Sequence, residues 1–290
     1  MMDKILEKYG YVPDRQKIER ALEVIAGNLD QIVTKEVLRD CFSLMDLTTL
    51  RANDTEASVA KLVDKVTALR EQYPEYPLPA SICVYPNFAP LVAARRCSPQ
   101  LHVTTVAGCF PSSQSFPEVK VRECELAVAS GADEVDIVLA LNAFLAEDYV
   151  RAGEEIAMMR KAVGKAVLKV ILETGLLVSL EKIAAASFLA MENGADFIKT
   201  STGKVEVNAT PIAAYVMCEA IRRFYEITGK KVGFKAAGGI SNDRDAAVYY
   251  SIVSSVLGKE WLCRERFRFG VSRLGNSLMS AIEGETVNFF

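Results

Sequence analysis

Histidine is nearly missing from this chain of 290 residues: it has one, His102, beside a single tryptophan. A metal centre draws on several His, Cys or carboxylate donors at fixed spacing, and the sequence has neither a histidine cluster nor a CxxC pair, so no metal is expected. Lone His102 reads as a packed or hydrogen-bonded residue at the start of a strand. The seven cysteines are odd in number and scattered, which disfavours a disulfide framework and suits a reducing compartment, most of them serving as small buried hydrophobes. Neither charge is in excess, with 34 Lys and Arg against 37 Asp and Glu. Without a basic stripe to follow a phosphate backbone, nucleic acid is not an expected partner. The N-terminal residues are charged throughout and lack the apolar core of a secretory signal, so a cytoplasmic location is expected. Two uncharged stretches, 76–94 and 97–117, are broken by Pro77, Pro79, Pro86 and Pro90 and by Pro99, Pro111 and Pro117, so neither reads as a membrane span.

What remains is an ordinary globular composition, 50% hydrophobic and 24% charged, enough to build a large core and too apolar for disorder. The length suits two modest domains or one α/β barrel of about 250 residues. Periodicity decides. Helical spacing appears over Pro13 to Asn28 and again at Val59, Leu62, Val63, Val66 and Leu69 behind an Asn53-Asp54-Thr55 start signal. Short β-branched or apolar runs then predict eight strands: Phe42–Asp46, Ser81–Tyr85, His102–Val106, Glu134–Leu139, Val167–Glu173, Phe197–Thr200, Val232–Ala236 and Phe267–Phe269. Helix punctuation lies between them, as at Thr210-Pro211 and Ser241-Asn242-Asp243.

One strand and one helix repeated eight times at a fairly even spacing is the arithmetic of a (β/α)8 barrel. A doubly wound open sheet is the alternative, but no GxGxxG follows an early strand. The expected architecture is a single (β/α)8 TIM barrel over 41–290 behind an N-terminal helical extension over 1–40. Gly131-Ala132-Asp133 and Gly194-Ala195-Asp196 are two repeat units apart and mark the fourth and sixth strands. Asp136 and Lys199 each follow three residues after the Asp of their echo. Alternate strands feed the same interior layer of such a barrel, so these two side chains are expected to face each other near its C-terminal mouth.

Strands between a barrel interior and a helical coat should be almost wholly apolar. Here Asp46, Asp136, Lys169, Lys199 and Lys235 interrupt them. An ionised group in a dry interior costs several kcal/mol, on the order of 3 or more, unless paired, and a lysine there loses basicity through burial and neighbouring cations. Such a set is either a structural ion-pair network or an arrangement for making a nucleophilic amine. Lys199 and Lys235 end adjacent strands. One can attack a carbonyl to form a Schiff base while the other depresses its pKa, with Asp136 placed to move protons. The loops after the sixth to eighth strands carry Gly203-Lys204, Gly238-Gly239 ahead of Ser241, and Gly270 before Ser272 and Arg273. Glycines there let backbone N–H groups approach an anion, and the loops after the seventh and eighth strands are the habitual phosphate site of the fold, which together with Lys204 favours a phosphorylated substrate.

The stretches LMDLTTL (44–50), GADEVDIV (131–138), LKVILETG (168–175), GADFIKTSTGK (194–204), NATP (208–211), GFKAAGG (233–239) and RFG (268–270) resemble deoxyribose-phosphate aldolase from about Leu44 to Ile282. The resemblance implies a class I aldolase without a cofactor, in which Lys199 forms the Schiff base, Lys235 assists it and Asp136 is the proton-transfer acid/base. Asp46, Thr48, Cys83 and Lys169 would line the pocket, and Gly203, Lys204, Gly238, Gly239, Gly270 and Ser272 would fall in the phosphate region. The implied reaction is reversible cleavage of 2-deoxy-D-ribose 5-phosphate into acetaldehyde and D-glyceraldehyde 3-phosphate, by a homodimer or higher homo-oligomer.

Three features depart from the family pattern. Ser272-Arg273 stands where two serines are common, so Arg273 is a candidate phosphate ligand, with an outward orientation to solvent or a partner subunit as its alternative. No Tyr follows Tyr250, so a proton route through a C-terminal Tyr must be absent or replaced by water. The loop AGCFPSSQSF after the third strand is a subgroup variant. Rival functions are a metal-dependent aldolase, for which ligands are lacking, another Schiff-base sugar-phosphate lyase or transaldolase, and a non-catalytic sugar-phosphate-binding barrel. A second lysine inside a strand argues against the last, since binding an anion needs one cation at the rim.

Overall fold

The β-branched runs become eight strands: β1 Met45–Thr48, β2 Ser81–Val84, β3 His102–Val106, β4 Glu134–Val138, β5 Val167–Ile171, β6 Phe197–Lys199, β7 Gly233–Ala237 and β8 Phe267–Val271. In this computed structural model, which describes residues 2–290, each strand lies parallel to its neighbours in sequence and β8 returns to β1, closing the barrel in the order β1 to β8. This is the expected (β/α)8 barrel.

Four helices precede β1: α1 Met2–Lys8, α2 Arg15–Gly27, α3 Leu29–Ile32 and α4 Lys35–Ser43. The coat then follows as α5 Glu56–Gln72, α6 Ala89–Arg95, α7 Pro117–Ala129, α8 Leu141–Leu145, α9 Tyr149–Val163, α10 Thr174–Leu177, α11 Leu180–Glu192, α12 Pro211–Thr228, α13 Asp243–Leu257 and α14 Leu274–Glu283. Starts are set by local chemistry. Thr55 and Ser58 form a reciprocal capping box on α5, Thr210 accepts from the Ala213 N–H with Pro211 opening α12, and Asn242 accepts from the Asp245 N–H at the head of α13. The N-terminal helices thicken the coat, α1 against α11, α2 against α12 and α13, and α4 against α13 and α14. Residue 40 lies inside α4, which runs on to Ser43.

The first strand differs from expectation. Phe42 and Ser43 belong to α4, and β1 starts at Met45. Leu38, Cys41 and Phe42 are buried at helical spacing, so the period of 3.6 claims a residue that its β propensity assigns to a strand. The fifth strand is shorter than expected, ending at Ile171, and Glu173 beyond it turns into the left-handed region.

The greasy core lies between strands and helices. Phe42, Phe144, Phe188 and Phe234 are fully out of water there, each contributing on the order of 2 kcal/mol. The barrel interior is different in kind, because its charged residues sit at alternate strand positions that point inward. All seven cysteines are free. Among the described residues no helix is long and apolar enough to cross a membrane.

Candidate active site

The inward faces of six strands put seven ionisable groups into one buried cluster. Asp46 comes from β1, Glu134 and Asp136 from β4, Lys169 from β5, Lys199 from β6, Lys235 from β7 and Arg268 from β8. Asp136 is the hub: its Oδ1 accepts from Lys169 Nζ at 2.9 Å, and its Oδ2 accepts from Lys199 and Lys235 Nζ, each at 2.8 Å. The sequence echo is thus realised as a direct contact between Asp136 and Lys199. Beneath it, Lys235 also donates to Asp46, Lys169 to Glu134, and Arg268 to Asp46 at 2.6 Å and Glu134 at 2.8 Å. Gly270 makes room, since a Cβ there would stand 3.0 Å from Lys235 Cε and 2.9 Å from Ala237 Cβ.

Four cations face three carboxylates, so the cluster holds one positive charge too many. Low dielectric makes that surplus costly, and the group that gives up a proton is the one with the weakest anionic support. Lys169 touches three carboxylates and Lys235 and Arg268 two each, but Lys199 touches Asp136 alone. Burial pushes the Lys199 pKa below its ordinary value and the Lys235 ammonium adds to the fall, against the pull of Asp136. Lys235 is likewise buried, but Asp136 and Asp46 outweigh that and hold its pKa above normal. For Asp136 burial is overcome by Lys169, Lys199 and Lys235, which keep it ionised far below the usual carboxylate range. The two lysines of the expected pair are therefore unequal: Lys235 is held above the ordinary basicity of a lysine and Lys199 below it.

Lys199 is also the one member of the cluster that lines the cavity at the C-terminal mouth, a space of about 280 Å³. That size suits a small metabolite. Around it stand Thr48, Arg51, Thr202, Gly203, Lys204, Gly238, Gly239, Gly270, Ser272 and Arg273, with no acidic side chain among the lining residues. Gly238 and Gly239 both adopt positive φ, and a Cβ on Gly238 would strike the Asn208 side chain at 2.6 Å. Every glycine expected in the phosphate region, together with Lys204, Ser272 and Arg273, meets in this one space. Arg273 is exposed and makes no side-chain hydrogen bond among the described residues.

Of the four side chains expected to line the pocket, Thr48 does. Asp46, Cys83 and Lys169 are fully buried beneath it, and they form its floor and its electrostatics in place of its walls. The physical reason is length and pairing: carboxylates hold the Lys169 ammonium inside, while Cys83 packs with Leu50, Val106, Tyr85 and Phe110. Through Phe110 the variant loop after β3 closes this apolar corner, its ring edge-on to Tyr85. Several residues escaped the sequence reading, Thr202 at the cavity wall among them. Glu134 and Arg268 are charges inside strands, and the same rule that exposed Lys169 would have found them. Arg51 carries no such signal, being one exposed arginine in a loop.

His102 hydrogen-bonds through Nδ1 to Glu134 Oε1 at 2.7 Å, with its side chain 38% exposed, so it is a partner of the cluster at the far end of the barrel and not a core residue. Among the described residues no three His, Cys, Asp or Glu side chains converge as a metal site. The C-terminal residues are tied to α14, where Asn276 Oδ1 accepts from the N–H groups of Phe289 and Phe290, and none of them lines the cavity.

Comparison with known proteins agrees with this geometry. Over 263 residues the chain is 42% identical to a Caenorhabditis elegans protein named "Putative deoxyribose-phosphate aldolase", covering 90% of this chain and 86% of that one. Among solved structures, "QR15, an Aldolase" superposes with a TM-score of 0.67 at 28% identity, covering 84% of this chain and 95% of the other. The tetrameric deoxyribose phosphate aldolase of Aeropyrum pernix shares the fold, with a TM-score of 0.68 at 23% identity over 92% of this chain and 98% of that one. Residues 41–258, which carry all of the cluster but Arg268 and all but the last part of the cavity, match the DeoC/LacD family aldolase, and the chain belongs to that family of lyases.

Proposed function

We propose that this aldolase is of class I and reversibly cleaves 2-deoxy-D-ribose 5-phosphate to acetaldehyde and D-glyceraldehyde 3-phosphate through a Schiff base on Lys199. The observation that carries the reading is the asymmetry of the lysines: the amine that lines the cavity meets one carboxylate where Lys235 meets two, and burial with the Lys235 ammonium lowers its pKa. The neutral amine of Lys199 adds to the C1 aldehyde, and the carbinolamine loses water to give an iminium. The iminium draws electrons from the C2–C3 bond as the C3 hydroxyl gives up its proton, releasing glyceraldehyde 3-phosphate and leaving an enamine. Protonation of the enamine carbon and addition of water free acetaldehyde and the lysine. Asp136, ionised at rest, takes up the protons, and the Lys235 ammonium supplies them. No cofactor is needed, because the iminium is itself the electron sink.

The rim supports a phosphate ester. Gly203, Gly238 and Gly239 offer backbone N–H groups, and Lys204 and Arg273 offer cations, to an anion held at the end of the cavity away from Lys199. A homodimer or larger homo-oligomer in the cytoplasm completes the reading, to be read by light scattering and cell fractionation. The decisive test is borohydride added with acetaldehyde, which should fix a two-carbon adduct on Lys199. Peptide mapping that placed it on Lys169 or Lys204, or no adduct at all, would overturn the assignment.

A further inference from the structure

Glu173, just beyond β5, combines two unfavourable features. Its backbone is left-handed, at φ 54° and ψ 59°, a conformation that side chains with a Cβ avoid. Its carboxyl is buried, with the residue only 2% exposed, and makes no ion pair among the described residues. Burial accordingly pushes its pKa above the ordinary carboxylate value, against the hydrogen bonds from Thr202. Strain and unpaired burial of this kind persist where the surrounding structure uses them.

Both of its oxygens go to one residue. Oε1 accepts from the Thr202 N–H at 3.2 Å and Oε2 from the Thr202 hydroxyl at 2.5 Å. Thr202 Oγ1 in turn accepts from the Lys204 N–H at 3.0 Å, and Lys204 Nζ reaches across the mouth to the Leu50 carbonyl. The same turn also meets the chain just beyond Lys204: Gly175 lies so close to Val207 that a Cβ would stand 2.0 Å from its carbonyl oxygen. The segment from Thr202 to Lys204 is thus a strap over the cavity, rooted in Glu173 on one side and resting on the β1 loop at the other.

We propose that Glu173 is a positioning residue that holds the Thr202–Lys204 strap in its anion-receiving shape, so that it sets the preference for a phosphorylated substrate without touching the reacting atoms. This rests on the reading of the cavity as a phosphate-ester site. Glu173→Gly is the informative variant, because it removes the carboxylate while leaving a residue at ease in the left-handed region. Inorganic phosphate, titrated calorimetrically near pH 7.5, should bind about tenfold more weakly to it than to the unaltered enzyme. The ratio of kcat/KM for 2-deoxyribose 5-phosphate over that for 2-deoxyribose should fall by about the same factor, through KM. Glu173→Gln, whose amide oxygen still accepts from Thr202, should recover part of the loss, and Thr202→Val should reproduce it from the other side should Glu173→Gly not fold. Unchanged phosphate affinity in the folded variants, or equal losses on both sugars, would overturn the proposal. An unaltered enzyme that binds phosphate yet traps no acetaldehyde adduct would sink the aldol reading and leave the strap standing. One that binds no phosphate would sink the strap, while trapping still judged the aldol reading.

Discussion

Replacing Lys235 by Met tests the charge argument most directly. The ammonium groups of Lys199 and Lys235 each lie 2.8 Å from the same Asp136 oxygen. At a separation on the order of 5 Å and an effective dielectric of about 20, their repulsion is about 3 kcal/mol. At about 1.4 kcal/mol per unit, that corresponds to roughly two pKa units. Removing the neighbouring charge therefore raises the Lys199 pKa, lowers the neutral fraction at pH 7, and moves the acidic limb of the kcat/KM profile upward by about two units. Turnover at neutral pH should fall up to about a hundredfold and recover in part at alkaline pH. Met fills similar volume, and no carboxylate is orphaned, because Asp46 retains Arg268 and Asp136 retains Lys169 and Lys199. Measuring kcat/KM from about pH 5 to about pH 10 on variant whose circular dichroism matches the parent decides the matter. An acidic limb that stays in place in a folded, active variant would refute the role assigned to Lys235.

Asp46→Asn leaves Lys235 and Arg268 facing a neutral amide and should cost about 3 kcal/mol in urea unfolding at neutral pH. The Asp46 pKa, which burial would raise, is drawn down to about 2 by Lys235, Arg268 and Lys169, below an unfolded value of about 4. Its stabilisation is thus complete above about pH 4 and lost as the pH falls toward about 2, so parent and variant should converge across that window; a constant gap would contradict the assignment. Arg273→Ser should raise KM for 2-deoxyribose 5-phosphate about tenfold and leave KM for 2-deoxyribose nearly unaltered, whereas equal effects on both would turn the guanidinium outward to solvent. Exhaustive EDTA treatment should leave turnover intact, and a loss restored by zinc would bring back metal-assisted cleavage.

Much of this was legible in the amino-acid order alone. Even spacing of eight apolar runs determines the barrel, because each strand must be followed by enough chain to return along a helix. Charges within those runs mark the site, since a strand buried on both faces tolerates a lysine only for a reason, and Asp136 and Lys199 could be paired from their equivalent places on alternate strands. The same sequence placed Phe42 in a strand, because its β propensity is local while the apolar stripe it completes on α4 belongs to a helix packed on the barrel. Tertiary structure alone explains why the two lysines differ: the direction of each pKa follows from how many carboxylates reach its ammonium, and the closure of β8 against β1 brings Arg268 to Asp46 and Glu134. It also separated walls from floor, sending Asp46, Cys83 and Lys169 below the cavity and Arg51 to its rim. Glu173 shows the limit most plainly. It closes the segment 167–173 with no signal of its own, and only the turn of the chain after Ile171 gives its carboxylate to Thr202, because a contact across 29 positions is set by the barrel's curvature and by nothing adjacent in sequence.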